Sequence, residues 1–389
     1  MDYTPDNNIN TSGQPMNSTP QGNGLYNSQA PSPAEIYNSN AYSNAPQYHY
    51  GAPQSFFNST YLEEQRKKLI ERKRHEKVIK SLGTSTGLML LILLGISFAL
   101  SFLIIAPTFS SLYESNLTFA CAFGIFYSVI SVGGAFFIGS KILKGQKLFK
   151  SIPYNAPKDK SKSILLVLMG FGGCLVANYV TVFLRVFSEG IGIYSDYSAL
   201  QEPSSTLDVI MIFISSSIVP PLIEEFAIRG VVMQGLRKYG NAFAIVTSAF
   251  VFGIFHGNAV QMPFAFLCGL FIGYAVIATE SLWTGIIIHA LMNGMSAISS
   301  GLIYYFDEYT SNTFFYIGSA AGVALGIIAA IIYFVKYKND STLKNNGCFN
   351  DMTLGERFLK FNTSPIMVIA IILYVVQAIS QLTTTPPAS

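Results

Sequence analysis

Nine stretches of this chain are apolar and long enough to be membrane-spanning helices, which constrains the fold more than any other feature. A hydrocarbon core about 30 Å thick needs roughly 20 apolar residues in helical form, and helices satisfy their own backbone hydrogen bonds there. Half of the 389 residues are apolar and 12% are charged. We therefore predict an all-α, polytopic transmembrane bundle of eight or nine spans. The stretches lie near 85–107, 118–139, 163–185, 206–237 (interrupted), 241–258, 262–279, 282–304, 313–335 and 364–382.

The basic residues predict the orientation of this bundle. Lys and Arg cluster in alternate connections, whereas the other connections carry mostly acidic residues. Because short cytoplasmic loops are enriched in Lys and Arg, we predict a multi-pass protein of the cell membrane with a cytoplasmic N-terminus. Nine spans would put the C-terminus outside. A net charge of +3, with the cations beside apolar segments, does not indicate a nucleic-acid partner. The basic clusters are 66–80, 141–162, 237–238 and 336–360.

The N-terminal region differs from the rest of the chain in composition. Residues 1–60 are rich in Asn, Ser, Gln, Pro, Gly and Tyr, and lack Lys and Arg. Such composition without periodicity predicts a disordered tail. Residues 61–82 contain eight Lys or Arg immediately before the first apolar stretch. This juxtamembrane segment is predicted to be a topological anchor, and binding to anionic lipid headgroups is compatible with that role.

Few ionisable residues occur inside the predicted spans, and three of them lie within six positions. On insertion scales each Glu or Arg at mid-bilayer costs about 2.5 to 3.5 kcal/mol, so these three would oppose insertion by roughly 8 to 10 kcal/mol if they faced lipid unpaired. We therefore predict that they face the protein interior and one another. The intramembrane set is Glu224, Glu225, Arg229, His256 and His289, with Glu280 at a span boundary.

Helical geometry assigns different roles to the two adjacent glutamates. Glu225 and Arg229 are four residues apart, in the order that favours an ion pair. Glu224 points about 100° away around the helix, which leaves it free of that pair and makes it the better general-base candidate. Pro220 and Pro221 predict a break or kink, which would place both glutamates in the first turn of a helix.

Two of the four histidines lie in apolar segments. One intramembrane histidine alone is well explained by a hydrogen bond between helices, but two of them beside a free carboxylate favour a site. Phe252 shares a helix face with His256, and His289 shares one with Asn293, so both pairs can project into one cavity; for Phe252, core packing is the expected role. Simple spans place Glu224 and His289 towards the cytoplasm and His256 towards the outside, which a shared cavity must reconcile.

These residues supply the groups that peptide hydrolysis requires. Glu224 can deprotonate water, His256 can hold that water, and His289 with Asn293 can donate to the oxyanion. In the competing interpretation, Glu224, His256 and His289 are ligands of Zn²⁺ with a position left for water. An HExxH helix is absent, which weakens the usual zinc-protease model. There is also no GxSxG elbow and no P-loop.

Three motifs in this order resemble those of the CAAX-protease and bacteriocin-processing family of intramembrane endopeptidases. EExxxR matches Glu224, Glu225 and Arg229, followed by Gly230; FxxxH matches Phe252 and His256; HxxxN matches His289 and Asn293. The resemblance covers about residues 160–305. It implies an all-helical fold of about eight spans, endopeptidase activity in a membrane-embedded cavity, and a centre of two Glu, two His and one Asn, of glutamate type or metal-dependent.

The resemblance completes the predicted domain organisation and leaves the substrate open. We expect a membrane-associated protein or peptide substrate, which in some relatives is prenylated. The main alternative is a non-catalytic membrane protein, an immunity scaffold or ion transporter, that uses the same polar cluster structurally. The predicted regions are the tail 1–60, the basic segment 61–82, the first helices and cytoplasmic loop 83–160, the protease-like core 161–305, and the C-terminal helices 306–389.

Overall fold

A computed structural model describes residues 59–142, 152–195, 202–343 and 351–384. The disordered tail predicted for residues 1–60 lies almost wholly outside this part of the chain. The chain divides into two units at Leu62, and the helical bundle is the second unit, Glu63–Ser389.

The prediction of an all-α bundle is confirmed. Helices account for almost all of the described structure, and the two strands have two residues each. Several helices begin where a polar side chain accepts a hydrogen bond from a backbone amide of the first turn, as Asn116, Asp159, Ser205 and Asp307 do. In chain order the helices are α1 (Ser59–Ile105), α2 (Pro107–Ser115), α3 (Leu117–Ser128), α4 (Gly134–Ile142), α5 (Lys160–Gly190), α6 (Thr206–Ile212), α7 (Val219–Glu225), α8 (Gln234–Arg237), α9 (Asn241–Phe255), α10 (Gln261–Thr279), α11 (Leu282–Tyr305), α12 (Glu308–Lys336), α13 (Leu354–Asn362) and α14 (Pro365–Ser380).

Three short π-helical sections and one strand pair complete the described elements. The π-helical sections are Val129–Gly133, Phe213–Ile218 and Phe226–Met233. Strands β1 (Tyr194–Ser195) and β2 (Leu382–Thr383) pair antiparallel, with Tyr194 opposite Thr383.

The number of spans reaches at most the lower of the two predicted values, eight. Among the described residues, seven helices are long and apolar enough to cross a membrane, or eight if the pair α13 and α14, bent by 77°, is one span. The predicted span that does not qualify is the fifth, 241–258, which is α9 and has only 15 residues. A helix of that length measures about 22 Å, less than a hydrocarbon core of about 30 Å. The count of nine therefore included a helix too short to qualify by length.

Side-chain contacts define two ends of the bundle. One, here called the basic end, brings together Lys162 with Asp340, Arg237 with Glu280, and Arg357 with the carbonyl of Tyr239. At the opposite end, β1 pairs with β2. Lys360 of α13 binds Glu76 in the first half of α1, so α1 starts at the basic end, whereas Leu382, which follows α14, lies at the other end. The described residues of the alternating basic connections, including Lys162, Arg237 and Lys360, therefore lie at one end.

The predicted break at Pro220 takes a different form. Residues 206–237 continue as one helical segment of 32 residues, in which a π-helical section, Phe213–Ile218, comes just before the prolines. Proline lacks a backbone N–H, and the wider section accommodates the missing donors. The prediction that both glutamates lie in a first turn was wrong, because Glu224 and Glu225 end α7 rather than begin it.

Small residues let the helices of the core approach closely. A methyl group added at Gly269 of α10 would lie 2.9 Å from the Cα atom of Ala249 on α9. Gly172 of α5 and Gly326 of α12 face each other in the same way, because a methyl group added at either would lie 2.8 Å from the Cα atom of the other. Contacts of this kind are typical of helix packing in membranes, and they hold α9 and α10 together around the polar residues.

Candidate active site

A fully buried ion pair lies at the centre of the bundle. Arg229 donates from Nη1 to Oε1 of Glu225 over 2.8 Å, and neither side chain is exposed. The predicted pairing of these two residues is confirmed. Within the described residues, Oε2 of Glu225 and Nε and Nη2 of Arg229 have no hydrogen-bond partner. The Arg229 guanidinium instead lies 4.3 Å from the centre of the Phe252 ring, an attraction that strengthens away from water.

His289 connects the buried pair to Glu224. Its Nδ1 atom lies 3.0 Å from Oε1 of Glu225, and its Nε2 atom lies 3.9 Å from Oε2 of Glu224. The first distance is a hydrogen bond, and the second is too long for one. A carboxylate only accepts hydrogen bonds, so Nδ1 of His289 carries a proton. Glu225 therefore orients both Arg229 and His289, while Glu224 is left outside that network.

His256 follows the last residue of α9, and its side chain is fixed by its own helix. Nδ1 lies 2.7 Å from the backbone carbonyl oxygen of Phe252. Because a carbonyl can only accept, the proton is on Nδ1, and the Nε2 atom of the neutral ring is an acceptor. Phe252 separates the histidines, with its ring centre 5.0 Å from that of His256 and 5.7 Å from that of His289. The packing role expected of Phe252 thus includes both rings.

Asn293 is held by a backbone group that the prolines leave without a helical donor. The carbonyl of Ser216 would accept from residue 220 in an α-helix or from residue 221 in a π-helix, and both are prolines. Asn293 donates from Nδ2 to this carbonyl over 2.9 Å. Ser216 is not among the residues predicted from the sequence, although the Pro-Pro pair four and five residues later is a signal that could have identified its carbonyl.

Four of the predicted site residues line one cavity. Glu224, His256, His289 and Asn293 face a space of about 340 Å³. The predicted difference in depth is reconciled because α9 has only 15 residues, so that His256 at its end lines the same cavity as Glu224 and His289. Glu225 and Arg229 do not line this cavity. Its other lining residues are Cys174, Ser216, Pro220, Phe252, Gln261, Phe264, Ala265, Cys268, Ile272 and Met292.

The arrangement of these side chains does not fit a metal centre. In the described part of the chain, no three His, Cys, Asp or Glu residues are placed to hold a metal ion. The Zn²⁺ alternative at Glu224, His256 and His289 would therefore require these side chains to move.

Comparisons with known proteins match the part of the chain that contains this site. Residues 206–295 match a family model described as Type II CAAX prenyl endopeptidase Rce1-like. Over 145 residues the chain is 29% identical to a Bacillus subtilis (strain 168) protein named "Putative membrane peptidase YdiL", covering 36% of this chain and 57% of that protein. No solved structure matches the chain. The family segment contains all seven site residues predicted from the sequence, from Glu224 to Asn293.

Proposed function

This chain belongs to the CAAX-protease and bacteriocin-processing family of intramembrane proteases, and from that premise we propose that it is an endopeptidase using Glu224 as its general base. The observation that carries the proposal is the division of the polar residues between two layers. Glu224, His256, His289 and Asn293 line a cavity, whereas Glu225 and Arg229 lie buried behind it. Water and a peptide can reach the first layer without breaking the second.

In the proposed reaction, Glu224 takes a proton from water while the water oxygen attacks the scissile carbonyl carbon. The neutral His256 ring accepts the other O–H of that water at Nε2, because its Nδ1 proton is committed to Phe252. General bases contribute about 10²- to 10⁴-fold to such reactions. The low exposure of Glu224, 13% of its side chain, limits competition from bulk water.

The oxyanion formed by this attack is stabilised from α11. An Asn side chain has two N–H donors on one nitrogen, and one of them is used by Ser216. The second donates to the oxyanion, together with Nε2–H of His289 in its doubly protonated form, which Glu225 stabilises through Nδ1. When the tetrahedral intermediate collapses, the C–N bond breaks and protonated Glu224 delivers its proton to the leaving amine.

We propose that the substrate is a membrane-associated protein or peptide, lipidated or not. The cavity is bounded by spans, and apolar residues such as Phe264, Ile272 and Met292 line it beside the polar groups, which suits a segment that enters from the bilayer. The multi-pass bundle is predicted to have its N-terminus in the cytoplasm because Lys162, Arg237 and Lys360 share the end at which α1 starts.

Cleavage of a reconstituted membrane peptide tests the proposal. Glu224→Gln and His256→Phe, which keep side-chain size or ring packing, are each expected to reduce kcat by at least about 100-fold while leaving the helical content unchanged. Comparing membrane-protein termini in cells with and without Glu224→Gln would then identify the substrate. Activity retained by both variants would favour a non-catalytic bundle instead.

Metal dependence is tested separately. The proposed steps route no proton or electron pair through a metal, so purified enzyme is expected to keep its activity after treatment with a chelator. The measurement is activity together with the metal content of the protein. Stoichiometric zinc whose removal abolishes cleavage would replace the glutamate mechanism with the metal-dependent one, in which Glu224, His256 and His289 are ligands.

A further inference from the structure

The turn that carries His256 is organised by one side chain within it. Between α9 and α10 the chain reverses in five residues, His256–Val260, and Gly257 has a positive φ of 57°. Oδ1 of Asn258 accepts from the backbone N–H groups of Val260 and Gln261, over 2.9 and 3.1 Å. These bonds shape the turn and begin α10, but they do not connect it to another part of the bundle.

Gln381, at the end of α14, makes that connection with both functions of its amide. Its Oε1 accepts from Nδ2 of Asn258 over 2.6 Å, and its Nε2 donates to the carbonyl of Gly257 over 3.1 Å. Gln377, one turn earlier, packs so closely that a methyl group on Gly257 would lie 2.8 Å from its Cδ atom. The Gln381 side chain therefore binds both residues that follow His256.

The position of Gln381 is itself restricted on both sides. It follows the last residue of α14, Ser380, and precedes Leu382, which pairs with Ser195 in the two-stranded sheet. That sheet joins the end of α14 to the segment that follows α5. Helix α5 itself contributes Cys174 to the wall of the cavity. An amide held by a helix on one side and a strand on the other loses little further freedom when it binds the turn.

We propose that Gln381 is a positioning residue for His256, so that the C-terminal helix completes the active site. This inference rests on the proposed function. The bond from Nδ1 to Phe252 sets the rotation of the His256 ring relative to α9, whereas Gln381 sets where the turn lies against the bundle. Misplacement of a reacting group by about 1 Å can cost about 100-fold in rate. Gln381 lies outside the family segment 206–295, so matching that segment alone does not reveal it.

The test compares Gln381→Met, which keeps the length and removes the amide, with Ser380→Ala in the full-length protein. Ser380 is the matched control because its hydroxyl bonds to the carbonyl of Gln377 within the same exposed turn. In Gln381→Met we expect amide hydrogen exchange over residues 256–261 to rise about fivefold. We also expect kcat to fall about 10-fold with little change in KM, because positioning acts on the chemical step. Ser380→Ala should change neither quantity.

Each outcome decides one part of the inference. Unchanged exchange in Gln381→Met would show that the amide does not hold the turn, and faster exchange with unchanged kcat would show that holding it does not position His256. A similar fall in kcat and rise in exchange in Ser380→Ala would show that the effect comes from a general weakening of α14. If Gln381→Met does not accumulate, Gln381→Asn, polar but one methylene shorter, gives the same comparison. Failure of this inference can be distinguished from failure of the peptidase proposal. Hydrogen exchange tests whether Gln381 holds the turn and needs no substrate, whereas cleavage by Glu224→Gln would contradict the peptidase proposal itself.

Discussion

Two adjacent glutamates lie in regions of different character. Glu224 faces the cavity, with 13% of its side chain exposed and Nε2 of His289 at 3.9 Å. Glu225 is fully buried and binds both Arg229 and His289 through one oxygen. A rotation of about 100° per residue is enough to place one carboxylate in a wall and the next behind it. We therefore propose that the same residue type serves chemistry at position 224 and architecture at position 225.

The largest expected effect comes from removing the cation behind the wall. Arg229→Met leaves Glu225 buried without its main partner, and breaking such a pair costs about 3 to 5 kcal/mol. We expect a large fall in the free energy of unfolding, measured by denaturant titration in detergent micelles. The free energy of unfolding should fall by less in Arg229→Lys, which keeps the charge. A loss below about 1 kcal/mol for Arg229→Met would mean that the pair has no structural role.

A smaller effect, on rate rather than stability, is expected in the cavity wall. Asn293→Ala removes one proposed oxyanion donor, a change that typically costs about 10²- to 10³-fold in kcat. KM should change little, because the donor acts only in the transition state. Ser300→Ala is the control, because Ser300 lies on the same helix α11 and its hydroxyl donates only to the backbone carbonyl of Ser296. Equal kcat in Asn293→Ala and wild type would remove Asn293 from the oxyanion site.

Phe252 lies between the two layers, so its replacement should affect both moderately. Phe252→Leu removes the aromatic face above Arg229, a contact worth about 2 kcal/mol when shielded from water, and the ring that separates His256 from His289. We expect a loss of about 2 kcal/mol in unfolding free energy together with a lower kcat. A change in only one of the two measurements would assign Phe252 to a single layer.

The smallest effect is expected for an ion pair outside both layers. Arg237 binds Glu280 at the basic end, where 58% of the Glu280 side chain is exposed. Exposed pairs contribute about 0 to 1 kcal/mol, so Glu280→Gln should leave both the unfolding free energy and kcat near wild type. A loss as large as that of Arg229→Met would mean that burial does not explain the difference between these pairs.

Local spacing in the sequence was sufficient to predict the layers. The four-residue interval identified the Glu225–Arg229 pair, and the i, i+4 pairs on α9 and α11 pointed to a common cavity, because helical period alone decides which residues share a face. Apolar run length similarly predicted the all-α bundle. Both properties belong to single helices and need no tertiary information.

Features that depend on contacts between distant segments could not be predicted in this way. The bond from His289 to Glu225 and the grip of Gln381 on the turn at Gly257 join residues 64 and 124 positions apart. The Pro-Pro pair predicted a break or kink in the helix. The π-helical section found there could not be predicted, because it depends on how the helix redistributes the hydrogen bonds that the prolines remove. Run length also overcounted α9, because an apolar segment continues in sequence past the residue at which its helix ends.

The most direct test of the two-layer account is a comparison of Glu224→Gln with Glu225→Gln, in which cleavage and thermal unfolding are measured on the same preparations. The account predicts that Glu224→Gln loses cleavage, by at least about 100-fold, and keeps its melting temperature. Glu225→Gln should unfold at a clearly lower temperature, because it leaves Arg229 buried without a carboxylate. Equal melting temperatures, or cleavage retained by Glu224→Gln, would contradict the division of labour between these two neighbours.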